Sequence, residues 1–151
     1  MLLLDTNVLL VLIVGTLRPD MLSKHARLKA FDSDFFNFVR AQAGADTKHV
    51  STPHILTEVS NLLGSGKQQI VDRGNQVFRN YVAKLIEVYR ASKELVDLPV
   101  FTSIGLADTS IASLSKGGLR IVTVDWELCN RLTDEGFDVV NPWHHLTPMR
   151  R

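Results

Sequence analysis

Cysteine is almost absent from this chain of 151 residues, which contains only Cys129. A single cysteine excludes an intramolecular disulfide and favours a reducing, cytoplasmic setting. Cys129 lies at helical spacing from Trp126 and Leu132, so we interpret it as a core residue rather than a catalytic thiol. The five histidines also lack the spacing of a zinc-binding pair, which argues against a zinc site.

Excess charge and long hydrophobic runs are lacking as well. The formal net charge is +1, so a nucleic-acid partner would need a local basic surface or metal ions that neutralise its phosphates. An acid at position 5 interrupts the apolar N-terminus, and the next apolar run, Val8 to Val14, is too short to span a bilayer. We therefore expect neither secretion nor membrane insertion.

What the chain does have is 45% hydrophobic residues in an alternating strand and helix pattern. Length and composition favour one domain over residues 1–151, and the alternation favours an α/β fold with a mostly parallel sheet. The predicted strands are Leu2–Asp5, His49–Thr52, Leu95–Val100, Leu119–Val124 and Phe137–Val140. The predicted helices include Val8–Leu17, one that starts at Pro53, a long one from about Lys67 to Ala91, Ile104–Lys116 and Trp126–Glu135.

Four acids occupy positions where packing alone does not explain a carboxylate. Asp5 and Asp125 each end an apolar strand, whereas Glu58 and Asp108 interrupt the apolar stripe of a helix. Strand ends of a parallel sheet meet at one edge, where such folds place their functional crevice. The alternatives are helix capping for Asp5 and Asp125, and a buried, hydrogen-bonded or paired acid for Glu58 and Asp108.

Converging carboxylates suit Mg²⁺ or Mn²⁺, because hard cations prefer oxygen ligands. Acidic sites that hold one or two such ions hydrolyse phosphodiester bonds. The four acids together therefore predict a metal-dependent nuclease.

The motifs around these acids resemble those of PIN-domain ribonucleases, and the resemblance covers nearly the whole chain. They are Leu4-Asp5-Thr6-Asn7, Thr57-Glu58-Val59, Gly105-Leu106-Ala107-Asp108-Thr109 and Val122-Thr123-Val124-Asp125. The resemblance implies a three-layer α/β/α sandwich and Mg²⁺- or Mn²⁺-dependent endoribonuclease activity.

The resemblance also implies roles for individual residues. Asp5 and Asp108 match direct metal ligands, while Glu58 and Asp125 match positions that ligate directly, ligate through water or orient the attacking water. Three further residues match positions that support the site by hydrogen bonds: Thr6, Asn7 and Thr123.

Many members of the PIN-domain family that this chain resembles are toxins of type II toxin–antitoxin pairs, similar to the VapC group. They commonly form homodimers and are silenced by a small antitoxin that inserts a basic side chain into the acidic pocket. This chain departs from compact members by an extra polar helical segment around Asp20 to Phe31, which weakens the match to a toxin more than the match to a nuclease. The segment could form part of an RNA-binding surface, form a dimer contact, or be an insertion without a function of its own.

Other interpretations remain beside the nuclease. An Asp-nucleophile phosphatase would need a second acid at Asn7, and a receiver domain would need an acidic pair near the first strand. A PIN-like module that binds RNA or protein without cutting it is the non-enzymatic alternative. A local basic cluster, Arg18, Lys24, His25, Arg27 and Lys29, suits either RNA phosphates or a solvated face. Trp126 could stack on a base, but its position favours core packing.

Overall fold

The computed structural model describes residues 1–146, and strands and helices alternate along them. The strands are β1 Leu2–Leu4, β2 Val50–Ser51, β3 Ile86–Glu87, β4 Arg120–Val122 and β5 Asp138–Val140. The α-helices are α1 Thr6–Leu17, α2 Ser33–Gln42, α3 Pro53–Gly64, α4 Gln68–Val82, α5 Ser92–Leu95, α6 Phe101–Ala112, α7 Trp126–Asp134 and α8 Trp143–Leu146, with a 3₁₀ helix over Pro19–Lys24.

All strand pairings in the described residues are parallel, which confirms the predicted α/β class with a mostly parallel sheet, and the sheet is small. One sheet has the order β1-β4-β5 and the other pairs β2 with β3. A parallel bridge between Leu2 and His49 joins them, so the strands follow the spatial order β3-β2-β1-β4-β5. The order reverses between β1 and β4, and such a switch point opens a crevice at the carboxyl ends of the strands.

The core surrounds α1, which is apolar on almost every side. Val8, Leu9 and Leu10 are fully buried, and the helix packs against α2, α3, α4 and the 3₁₀ helix. Gly15 permits the close approach of α2, because a Cβ there would lie 2.3 Å from a ring carbon of Phe36. A helix buried on almost every side explains why the sequence shows a continuous apolar run rather than a stripe.

Two predicted elements are wrong between residues 83 and 100. The long helix ends at Val82 rather than near Ala91, because the Ile86 amide donates to the His49 carbonyl and the Val88 amide to that of Ser51. Apolar residues at helical spacing therefore continue into a short strand. The predicted strand Leu95–Val100 is instead the end of α5 followed by turns, with Leu95 fully buried.

The segment Asp20–Phe31 is less helical than predicted. After the 3₁₀ helix, turns continue through Ala30, and three side chains of the segment, Leu22, His25 and Leu28, are buried. The segment is therefore anchored in the fold by its own apolar and imidazole side chains.

None of the helices within residues 1–146 combines the length and the apolar character needed to cross a membrane.

Candidate active site

Asp5 lies at the carboxyl end of β1, and the sheet register determines its neighbours. Leu4 is in register with Val122, so the next residues, Asp5 and Thr123, stand side by side at the switch point. Thr123 Oγ1 donates to Asp5 Oδ2 at 2.7 Å, and the Thr6 amide donates to Asp5 Oδ1 at 2.6 Å. Asp5 thus caps α1, as the capping alternative expected, while the 6% exposure of the residue leaves its carboxylate almost dehydrated.

Burial raises the pKa of the Asp5 carboxyl. The hydrogen bonds from Thr123 and Thr6 oppose this effect, and the negative charges of Asp125 and Glu58 add to it. The same like-charge repulsion would disappear if a cation sat among the acids.

Asp125 reaches the cleft from the end of β4. Its backbone amide donates to Thr123 Oγ1 at 3.1 Å, so one fully buried hydroxyl contacts both strand-end acids. Asp125 Oδ1 accepts from the Leu128 amide at 2.8 Å and caps α7. The capping interpretation is therefore confirmed here too, although the cap uses Oδ1 only.

Glu58 extends from α3 and is solvent-exposed. The sequence predicted that Glu58 shares one helix face with Ile55 and Leu62. This is only partly right, because Ile55 is buried and Leu62 is half-buried, whereas Glu58 is exposed. Glu58 Oε2 accepts from Thr6 Oγ1 at 2.8 Å, which orients the carboxylate toward α1. Thr6 therefore supports the site from both its amide and its hydroxyl.

Asp108 lies on α6, just after a break that the sequence did not predict. Gly105 has φ 79° and ψ 179° inside the helix, a conformation that is essentially restricted to glycine, and the helix resumes beyond it. Burial raises the pKa of Asp108 to about 7, with further contributions from the charges of Asp5, Asp125 and Glu58. A pKa near neutrality in a cleft is typical of functional carboxylates.

A buried hydroxyl pair connects the N-cap of α3 to α6, the two helices that carry Glu58 and Asp108. Ser110 Oγ donates to the Ala107 carbonyl at 2.6 Å, so in its 2.7 Å contact with Thr52 the Thr52 hydroxyl is the donor. Neither residue was among the predicted site residues. Thr52 follows a strand and caps α3, and that position was the only available signal.

All four acids line one cleft of about 400 Å³ at the carboxyl edge of the sheet. Its other lining residues are Thr6, Asn7, Arg27, Asn61, Leu62, Ile104, Gly105, Leu106 and Ala107. The structure thus brings together every predicted site residue at the cleft or directly behind it. Asn61 was missed, although it lies one helical turn beyond Glu58.

The carboxylates share this cleft without forming a ready ligand shell. Within residues 1–146, no group of three or more histidine, cysteine, aspartate or glutamate side chains is arranged to hold a metal ion. Glu58 is drawn toward Thr6, and Asp5 and Asp125 each cap a helix. The donor chemistry fits Mg²⁺ or Mn²⁺, but a bound ion would require these side chains to approach one another.

Two other expectations change near the cleft. Trp126 is 63% exposed rather than packed in the core, with its ring edge-on to His144 at 5.2 Å between centroids. The basic cluster is dispersed: Arg18 and Lys24 both pair with Asp20, and His25 is buried. Of the cluster, only Arg27 lines the acidic cleft.

No family model, curated protein or solved structure matches this chain.

Proposed function

We propose that this chain is a metal-dependent endoribonuclease with a PIN-like, three-layer α/β/α architecture. The observation that carries the proposal is the convergence of Asp5, Glu58, Asp108 and Asp125 on one cleft at the switch point of a parallel sheet. The raised pKa values of Asp5 and Asp108 support it: burial is the main cause in both, and the negative charges of Asp125 and Glu58 add to it.

Asp5 and Asp108 would hold one or two Mg²⁺ or Mn²⁺ ions, with Glu58 and Asp125 completing the shell directly or through water. A bound ion of this kind lowers the pKa of a coordinated water and neutralises the phosphodiester. The chain itself contributes positioning: Thr123 fixes Asp5 and the backbone of Asp125, and Thr6 holds Glu58.

In such a hydrolysis the water oxygen would bond to phosphorus and the bond between phosphorus and the leaving oxygen would break, while the water releases one proton to solvent and the leaving oxygen takes one up. In the metal-free protein the pKa of Asp108 is about 7, and a cation bound beside it would favour the carboxylate and displace the proton. The buried hydroxyl of Thr123 keeps Asp5 oriented without adding charge.

The test is cleavage of a structured RNA pool with Mn²⁺, with Mg²⁺ and with EDTA, beside the variant Asp108→Asn. We expect cutting that needs the metal and falls at least about a hundredfold in the variant. Calorimetric titration with Mn²⁺ provides a second readout, and metal binding that Asp108→Asn leaves unchanged would contradict the assigned ligands.

The biological role proposed for this nuclease is that of a toxin in a type II toxin–antitoxin pair, acting as a cytoplasmic homodimer. The acidic cleft supports this role because it would accept a basic side chain from a small antitoxin. Growth arrest on expression, relieved by co-expression of the neighbouring small reading frame, is the expected result.

The alternative is a PIN-like module that binds RNA or protein without cutting. The lack of a preformed ligand shell within residues 1–146 favours this alternative. RNA binding without cleavage, unchanged by EDTA, would establish it.

A further inference from the structure

We infer that Arg27 is a phosphate-binding residue of the acidic cleft, and that the segment Pro19–Ala30 serves to place it there. The inference rests on the proposed nuclease function and assigns the contact to a backbone phosphate of a single-stranded RNA. Its starting observation is that an arginine lines a cleft whose four charged neighbours are all acids.

Arg27 is oriented by a neutral partner rather than by the acids. Its Nε donates to Asn7 Oδ1 at 3.2 Å, while among residues 1–146 it forms no ion pair with any acid of the cleft. Its side chain is exposed, so water and ligands can reach the guanidinium. A planar guanidinium that keeps terminal N–H donors available suits bidentate recognition of phosphate.

Buried residues on both sides hold the backbone of Arg27 in place. His25, which is 2% exposed, and Leu28, which is fully buried, flank it. The Arg27 amide donates to His25 Nδ1 at 3.2 Å, so the imidazole proton resides on Nε2, which donates to the Leu62 carbonyl at 3.0 Å. Leu62 itself lines the cleft.

This anchoring connects the segment to α3, the helix that carries Glu58. The imidazole also packs against the end of that helix, where a Cβ on Gly66 would lie 3.0 Å from His25 Cδ2. An exposed loop needs no such anchor merely to be solvated, whereas a ligand-contacting arginine gains from losing little freedom on binding. On this inference, the segment around Asp20 to Phe31, by which the chain departs from compact PIN-domain proteins, serves to position Arg27.

The charges that line the cleft support the same role for Arg27. Four carboxylates at one cleft repel a polyanion wherever metal ions do not neutralise them, and the cleft has only Arg27 as a basic side chain among its described lining residues. A cation at the wall lets the RNA backbone approach while the acids remain available for metal. The contact should therefore affect binding of RNA more than the chemical step.

The experiment compares Arg27→Gln, Arg27→Lys and the matched control Lys29→Gln, which removes an exposed charge of the same segment away from the cleft. Cleavage of the structured RNA pool with Mn²⁺ gives KM and kcat. Anisotropy of a labelled random-sequence single-stranded RNA, measured in the slowly cleaving Asp108→Asn background at several salt concentrations, gives binding.

We expect Arg27→Gln to raise KM by about tenfold with kcat retained within about threefold, and to reduce the slope of log affinity against log salt by about 0.7. Arg27→Lys should keep the salt slope, because one positive charge remains, and Lys29→Gln should change neither quantity. Circular dichroism establishes that each variant is folded.

The outcomes separate the two proposals. If the parent protein cuts RNA but Arg27→Gln behaves like Lys29→Gln, the inference about Arg27 is overturned and the nuclease stands. If the parent neither binds nor cuts RNA, both are overturned. A fall in kcat with unchanged KM and salt slope would also contradict a phosphate-binding role.

Discussion

Thr123 Oγ1 donates a 2.7 Å hydrogen bond to Asp5 Oδ2 across 118 residues of sequence. The two residues follow neighbouring parallel strands in register, so the bond joins the two sides of the switch point. The same hydroxyl accepts from the Asp125 amide. One buried threonine therefore determines where two of the four acids stand.

Replacing Thr123 with valine keeps the volume but removes the hydroxyl. We expect a loss of about 1–3 kcal/mol in the free energy of unfolding, because a buried carboxylate oxygen loses its donor. The bond from Thr123 lowers the pKa of Asp5, so its removal raises that pKa further and shifts Mn²⁺ binding to higher pH. Urea denaturation and metal titration at several pH values measure the two effects.

Thr123→Ser keeps the hydroxyl and should retain the wild-type pH profile. An unchanged profile in the valine variant would show that Thr123 has only a structural role.

The charge of Asp108 should destabilise the metal-free protein at neutral pH. Its folded pKa of about 7 lies above the ordinary value of 3.8, so below 3.8 both states are protonated and the group contributes nothing. Between 3.8 and about 7 the unfolded chain releases a proton that the folded protein retains, and stability falls as pH rises. Above about 7 the loss is complete.

Asp108→Asn removes this penalty and should therefore raise Tm in EDTA at about pH 8 by at least ~2 °C, with little change near pH 4. Thermal unfolding monitored by circular dichroism measures it. The control is Asp97→Asn, which alters an exposed acid that does not line the cleft and should leave Tm unchanged at both pH values. An equal gain in the control would mean that net charge, not the cleft, is responsible.

The strand ends were predictable because short, continuous apolar runs such as Leu2–Leu4 are fully buried in parallel sheets, and an acid directly after one is conspicuous. The order of the strands then brought the acids together without any further signal in the sequence. The helical acids were predicted less well: Asp108 is half-buried as a stripe residue should be, but Glu58 is exposed.

What the sequence could not reveal depends on contacts between distant segments. Ile86 continues the apolar period of α4, and only pairing with β2 makes it a strand residue. In the sequence, Arg27 is one of several charges in a basic cluster. Only the burial of His25 and Leu28 places it at the cleft. Residues of this kind have local patterns that fit two structures, and the long-range contact decides between them.

Substitution of Asp125 separates its capping role from its proposed metal role. Asparagine caps helices as well as aspartate does, so Asp125→Asn should change the free energy of unfolding by less than ~0.5 kcal/mol. Asp125→Ala loses the bond to the Leu128 amide and should cost about 1 kcal/mol. Both variants should lose at least about tenfold in cleavage, since both remove the charge. Full activity in Asp125→Asn would mean that this acid only caps α7.

The break at Gly105 positions Asp108, and a side chain there should disturb both stability and the site. An added Cβ meets no atom within 4 Å, so the cost of Gly105→Ala comes from its positive φ and is about 1–3 kcal/mol. Gly117→Ala is the matched control, because that glycine also has open space but an ordinary backbone conformation. It should be neutral or slightly stabilising. Urea denaturation of the two variants gives the difference, and Mn²⁺ titration shows whether Asp108 has moved. Equal stability of the two alanine variants would indicate that a side chain does not strain the break in α6. Unchanged Mn²⁺ affinity in Gly105→Ala would show that this break does not determine the position of Asp108.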